Sequence, residues 1–441
     1  MRTRLRHWAD RLRTNLWFVP GMIVVGSIVL SHLTLALDDR YGERFASAPY
    51  LFTGGPEGAS AVLTAIASSM IGVTGVIFSI TVVALTLAST QFGPRLLRAF
   101  IRDRAVQVVL GVFIGTFTFS LLGLRAIDRT EDVVPEITVN TAMALALLCL
   151  ALLIFFVHHV ASGIQADAII AAVSRDLHAT IDTLYPERLG HEPDDREGTE
   201  EPDLSGGQAL VRATRTGYVQ AIEEEGIFER VVADDLVLRL DVRPGDFVAE
   251  DSVVAHVWRR AGGEPPDPDP LAARILIGDK PTAEQDVEFL LAQLVEVGVR
   301  ALSPGINDPF TASRCVDRLG AALCHLSQRR FPSPVRVDEE GRVRVVARTT
   351  SWASSVEIAF DQLRQHARGN VAVTIRLLES LTRVAECLRP GSTRIAPLAR
   401  EVEQIAAMAR AAEFEARDLE DVERRVRRFA EVARVPTAAQ P

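Results

Sequence analysis

The chain is poor in the residues from which covalent frameworks and enzyme centres are built. Its 441 residues include four cysteines, Cys149, Cys315, Cys324 and Cys387, with no Cys-x-x-Cys and no paired spacing. That pattern excludes a disulfide framework. No Gly-x-x-x-x-Gly-Lys-Ser/Thr, Gly-x-Gly-x-x-Gly, His-Glu-x-x-His or Gly-x-Ser-x-Gly occurs. The sequence therefore offers no phosphate-cradling loop, dinucleotide fingerprint, zinc-protease helix or nucleophile elbow. No cofactor and no metal is expected. An excess of base is also missing: Lys and Arg total 48 against 57 Asp and Glu, a net charge of -9. Nucleic acid is not an expected partner.

Charge is absent altogether from four long stretches. Leu16 to Leu37, Ala61 to Ser89, Val106 to Leu124 and Ile137 to Val160 contain no Asp, Glu, Lys or Arg. A bilayer core about 30 Å thick needs roughly 20 apolar residues to cross it as a helix, so each run predicts a transmembrane span. The first run is too long for a signal-peptide core, and its nearest Ala-x-Ala, Ala46 to Ala48, is distant and followed by Pro49. It is read as a retained span.

Arginines set the expected orientation. Five precede the first span, at positions 2, 4, 6, 11 and 13. Arg40 and Arg44 lie in the first loop, Arg95, Arg98, Arg102 and Arg104 in the second, and Arg125 and Arg129 in the third. The alternation places the N-terminus, the second loop and the C-terminal region in the cytoplasm.

Two features of the spans bear on function. In the second, Ser68, Gly72, Gly75, Ser79 and Thr86 recur at spacings of three, four or seven and share one helical face. The third carries Gly111-x-x-x-Gly115. Small residues serve close helix packing; a hydroxyl stripe can also line a wet path in an oligomer. No carboxylate, lysine or arginine lies within the spans to relay protons, which argues against a proton-coupled pump and leaves a passive pore open. Between spans two and three, Gly93-Pro94 breaks the helix. Leu97, Phe100 and Ile101 can then share one face and Arg95, Arg98 and Arg102 another. A short basic amphipathic helix on the inner leaflet follows, fixing topology or contacting anionic lipid headgroups. His158 and His159, adjacent on a helix, point about 100° apart and make poor joint metal ligands.

Beyond the spans the chain reads as soluble. Ile169, Ile170, Val173, Leu177 and Ile181 predict a helix that ends at Pro186, and Glu187 to Gly207 is an acidic linker. Alternating segments from Ala209 to Ile222 and from Leu236 to Val242, then the turn Arg243-Pro244-Gly245-Asp246, predict a β module. Its Arg-Pro-Gly-Asp-Phe-Val to Val-Ala-His-Val pattern resembles half of a biotinyl or lipoyl barrel. The segment from Gln208 to Gly278 contains no lysine, so only the shape carries over.

Thr282 to Gln285 reads as a capping box opening a helix to about Leu302. Asp308 before Pro309 reads as an N-cap with Pro at N1, starting a second helix that runs to about Gln328. Between them, Arg300, Ser303, Asn307, Asp308 and Thr311 form either a capped corner or a ligand site. In the second case Arg300 and the helix N-terminus would face an anion for which the Asp308 carboxylate competes. Val335 to Ala347 predicts a β-hairpin. Helices are expected over 352–367, 371–388, 395–412 and 416–435.

Several runs together resemble a known family. They are Leu16 to Pro20, Val76 to Thr81, Gln91 to Leu97, Val109 to Phe113, Phe156 to His159, Arg243 to Val248 and Arg300 to Thr311. They resemble the bacterial membrane proteins grouped as domain of unknown function 2254, over roughly residues 15–390. The resemblance implies an integral membrane protein with a soluble C-terminal region and assigns no reaction, ligand or catalytic residue. It also implies an Arg-Thr pair ahead of Gln-Asp, where this chain has Lys280-Pro281-Thr282 before Gln285-Asp286.

The expected architecture is a multi-domain membrane protein. Four transmembrane α-helices (residues 1–160) lead through a connecting helix and acidic linker (161–207) to a cytoplasmic α+β region. That region comprises a small barrel-like β module (208–278) and a mainly helical part (279–441) with the hairpin near 335–347. The expected setting is a bacterial inner membrane, with anionic lipid and further copies of the chain as partners. Function reads as an oligomeric, channel-like protein regulated by its cytoplasmic region, or as a membrane-anchored sensor or scaffold. A membrane-bound enzyme is the weakest of the three.

Overall fold

The computed structural model describes residues 17–45, 55–92, 103–127, 134–163, 166–185, 208–260, 264–282, 285–389, 391–412 and 414–433. The chain divides into two compact units, Met1–Ala168 and Ile169–Pro441.

The first unit is a bundle of α1 (Phe18–Phe45), α2 (Pro56–Phe92), α3 (Arg104–Arg125) and α4 (Glu136–Gly163). Each contains a stretch long and apolar enough to cross a membrane. The most enclosed is α3, which packs against the other three. Its glycines explain how. A Cβ on Gly111 would lie 2.7 Å from Ile23 Cδ1, and one on Gly115 only 2.4 Å from Ser27 Oγ. A Cβ on Gly123 would lie 3.0 Å from Thr138 Cγ2. The missing side chains let α1 and α4 approach the α3 backbone, which in lipid substitutes dispersion contacts for a hydrophobic driving force.

Two apolar layers result. Met70, Ile77, Phe113, Cys149 and Phe156 belong to one, and Ala59, Leu63, Phe119, Val139 and Ala142 to the other. Polar groups close the ends. Asp103 accepts from the Ala105 amide at the start of α3, and its other oxygen meets His159 Nε2 at 2.6 Å. Asp38 reaches from α1 to the start of α4, accepting from the Ile137 amide at 2.7 Å, the Thr138 amide at 3.0 Å and the Thr138 hydroxyl at 2.7 Å. One helix thus supplies the N-cap of another, satisfying amides that a helix start leaves without partners.

Helix α5 (Ala166–Leu184) buries the face expected of it, Ile169, Ile170, Val173, Leu177 and Ile181. After it come β1 (Gln208–Arg212), β2 (Gly217–Ile222), α6 (Glu224–Ala233), β3 (Leu236–Leu240), β4 (Phe247–Val248), β5 (Val253–Arg259), α7 (Asp269–Ala272) and β6 (Ile275–Gly278). Then follow α8 (Val287–Ala301), α9 (Pro309–Ser327), β7 (Val335–Val337), β8 (Val343–Ala347), α10 (Trp352–His366), α11 (Val371–Glu386), α12 (Ile395–Arg410) and α13 (Ala416–Ala433).

The strands form two sheets, one ordered β1-β5-β3-β8-β7 and one ordered β4-β2-β6. Among the described residues neither ladder closes into a barrel. All pairs are antiparallel except β3 with β8, where Leu238 lies opposite Val345. The expected hairpin therefore exists as β7 and β8, and it also completes the sheet begun far upstream. Arg344 fixes that junction: buried in β8, it donates to Asp338 and to Asp235, each at 2.7 Å, and to the Leu236 carbonyl. A buried cation is tolerable only with such partners.

One expected cap is corrected. Helix α8 starts after Asp286, whose carboxylate accepts from the Phe289 amide at 3.0 Å. Gln285 instead accepts from the Ile222 amide and donates to the Ile222 carbonyl, and Thr282 donates to the Gln220 carbonyl. Backbone groups at the end of β2 hold the side chains that local sequence assigned to a capping box.

Candidate functional site

The stripe on α2 points away from the bundle. Ala59, Leu63, Met70, Ile77 and Ala84 form a buried line along this helix, with Ser60 and Ala67 buried to one side of it. At 100° per residue that line lies opposite Ser68, Gly72, Gly75, Ser79 and Thr86, all of which are exposed. A Cβ on Gly72 or Gly75 would meet nothing within 4 Å. Bulky exposed side chains flank the stripe, among them Ile71 and Phe78 on one side and Val76 and Val83 on the other. The stripe is thus the floor of a shallow apolar groove. Its hydroxyls are turned inward along the helix: Ser79 donates to the Gly75 carbonyl at 2.9 Å and Thr86 to the Val82 carbonyl at 2.9 Å. Within this chain the small-residue contact belongs to Gly111 and Gly115 instead.

The loop between α8 and α9 is a tightly capped corner. Asp308 accepts from the Phe310 and Thr311 amides, each at 3.1 Å, and from the Thr311 hydroxyl at 2.6 Å. The Thr311 hydroxyl, followed by these amides, holds the Asp308 carboxyl below its ordinary range. Ser303 donates to the Arg300 carbonyl at 2.7 Å. Asn307 adopts φ +48°, and its amide donates to the Ser303 carbonyl at 2.9 Å. Three of the five candidate side chains, Ser303, Asp308 and Thr311, thus bond within the corner itself. Asn307 is exposed and Arg300 half-buried, and Phe310 stands 79% exposed beside them. Arg95, Arg98 and Arg102 lie outside the described residues. His159 is engaged by Asp103 and stacks on Phe155 at 5.4 Å. Among the described residues no group of three or more His, Cys, Asp or Glu side chains is placed to hold a metal.

The family model described as "Predicted membrane protein (DUF2254)" matches residues 13–383. The chain belongs to this family. It is similar to the uncharacterized protein Mb1321c of Mycobacterium bovis, 35% identical over 379 residues that cover 84% of this chain and 71% of that one. It is equally similar to the uncharacterized protein Rv1290c of Mycobacterium tuberculosis, with the same identity and coverage. No solved structure gives a significant match.

This DUF2254 protein also assembles an ionic cluster that sequence reasoning missed. The turn Arg243 to Asp246 packs against the start of α8. Arg243 Nη2 meets Glu288 Oε2 at 2.6 Å, and the Ser354 hydroxyl donates to Glu288 Oε1 at 2.6 Å. Asp246 lies 3.8 Å from Arg243 Nε. Gly245, at φ +95°, leaves room for Asp286, whose Oδ2 would be 2.2 Å from any Cβ placed there. Only glycine satisfies both the backbone angle and the approach. Burial pushes the Asp286 carboxyl up to about 6, with the nearby Glu288 adding to the effect and the Phe289 amide and Arg243 opposing it. Three carboxylates thus gather round Arg243 where the small sheet meets the helices, with Arg348 Nη1 also 3.6 Å from Asp246 Oδ2. The participating residues are scattered along the chain, so no local spacing signals the cluster.

Proposed function

We propose that this protein is the subunit of a bacterial inner-membrane homo-oligomer, with channel-like permeation along the exposed face of α2 and regulation by its soluble unit. The observation that carries the reading is the outward small-residue stripe on α2. Glycine and serine gain nothing from facing lipid, where Leu and Val serve better. A groove with a small floor and bulky walls suits a neighbouring helix. The arginine alternation supports cytoplasmic termini, and Arg95, Arg98 and Arg102 suit anionic headgroups. Arg300 and Asn307, the two corner side chains not bonded within it, are the natural contacts for a soluble regulator.

A second reading has its own support. Ser79 and Thr86 already donate to carbonyls of their own helix, which favours dry packing. The protein is then a membrane-anchored sensor or scaffold. Cysteines placed at Ser79 and Thr86 separate the two. A small polar thiol reagent should modify them, and flux through reconstituted protein should fall on modification, if the face is wet. Inert cysteines together with no flux of common ions would remove the channel reading and leave the anchored sensor.

A further inference from the structure

Two cysteines from different helices meet in the soluble unit. Cys324 lies in the last turn of α9, and Cys387 is the C-cap of α11. These helices pack together, and the cysteines converge on one backbone oxygen. The Cys324 thiol donates to the Arg383 carbonyl at 3.6 Å, and the Cys387 amide donates to the same carbonyl at 3.3 Å. The Cys387 sulfur is three bonds from that amide nitrogen, which brings both cysteine side chains to the same carbonyl. Both are partly open to solvent, whereas Cys149 and Cys315 are buried.

We infer that Cys324 and Cys387 are a modification site, an intramolecular disulfide that a hydroperoxide forms reversibly. This stands apart from any reading of the α2 face. A reducing compartment makes such a pair a transient bond and not a permanent staple.

The two sulfurs have separate roles. Burial first, and then the Cys387 thiol, push Cys324 up to about 12. The Cys324 thiol is also engaged as a donor to the Arg383 carbonyl, so the first attack on the oxidant is assigned to Cys387. The Cys387 sulfur takes one oxygen of the hydroperoxide, and the O–O bond breaks. The remaining fragment leaves as an alcohol, or as water when the oxidant is hydrogen peroxide, carrying the thiol proton. Cys387 is then a sulfenic acid. The Cys324 sulfur displaces its hydroxyl: the S–S bond forms, the S–O bond breaks, and the Cys324 proton departs with that oxygen as water. Two thiols lose two electrons in all, and one peroxide gains them. A low-molecular thiol reverses the bond by exchange.

The bond would fasten the end of α11 to the last turn of α9. The next residues of α9 already hold the start of α12: the Arg394 guanidinium donates to the Ser327 carbonyl at 2.7 Å and to the Arg329 carbonyl at 3.2 Å. Oxidation therefore adds a covalent tie between α9 and α11 beside the hydrogen bonds that hold the start of α12.

The test uses the full-length wild-type protein in detergent, titrated with hydrogen peroxide, alkylated and digested for mass spectrometry. A peptide joining Cys324 to Cys387, two hydrogen atoms lighter than the free pair and lost on adding dithiothreitol, is the expected result. In Cys324→Ser the Cys387 sulfenic acid should persist and be trapped by dimedone. In Cys387→Ser the remaining thiol should oxidise roughly tenfold more slowly or less readily still. Absence of the joined peptide from folded wild-type protein at excess peroxide would overturn the inference, and so would a first disulfide between Cys387 residues of two chains. The wild-type measurement does not depend on any variant folding.

Discussion

Asp286 shows how one side chain can take a structural role and carry a pH dependence with it. Its carboxylate caps α8 through the Phe289 amide, yet burial raises its pKa to about 6. In an unfolded chain an aspartate titrates near ~4. Between those values the folded protein binds more protons than the unfolded one, so this group's contribution to stability falls as pH rises. The contribution is fully present below about 4 and lost once pH passes about 6, with a size on the order of 3 kcal/mol. Glu401 acts in the same direction: burial, and then the Asp361 charge, raise it to about 7 against the opposing Arg364. Asp286→Asn keeps a capping oxygen and removes the titration. Denaturant unfolding of the full-length protein between pH 4 and 7 should therefore show a shallower pH slope in Asp286→Asn. An unchanged slope would mean that the site is wet and the carboxyl unperturbed.

At the scale of elements, glycines on neighbouring helices have opposite surroundings. Gly115 is pressed against Ser27, whereas Gly72 faces open space. Gly115→Ala should cost about 1–3 kcal/mol through overpacking, seen as a lower melting temperature in detergent. Gly72→Ala should leave the melting of the isolated chain unchanged, since no atom of the bundle lies in its way. Equal effects of the two would contradict the described packing of α1 on α3.

Local signals account for which elements sequence could reveal. Asp308-Pro309 was legible because cap, ring and amides lie within four consecutive residues. Helices α10 to α13 were legible from apolar periodicity and from the polar residues that start them. The start of α8 was misread because the partner of Gln285 is Ile222, a strand residue distant in sequence. Helix α6 gave too little signal, with Ile227 and Val231 its only buried positions. The pairing of β3 with β8 has no local trace, because parallel register is set by tertiary packing.

For the whole molecule, apolar length against bilayer thickness was enough to find the four helices long and apolar enough to cross a membrane. Periodicity also found the α2 stripe. It could not say which side the stripe faces, because a face is defined by the neighbouring helices and those were invisible. The candidate ligand residues at the α8–α9 corner were found as a group, but the hydrogen bonds that use up Ser303, Asp308 and Thr311 depend on loop geometry. Orientation rests on the arginine alternation and has a direct check. A membrane-impermeant label applied to intact cells should reach single cysteines placed between positions 46 and 54 and leave those placed between 95 and 102 untouched. The reverse pattern would invert the proposed topology.

The contact of Asp38 with the start of α4 also bears on biogenesis. The first span leaves the ribosome long before its partner amides at Ile137 and Thr138 exist. Until the fourth span arrives, the carboxylate must find its hydrogen bonds in water, and the start of α4 has no other helix to cap it. The bundle is therefore closed by its last helix docking on its first. A nascent chain halted after three spans would leave the Asp38 carboxylate without the Ile137 and Thr138 amides that it caps.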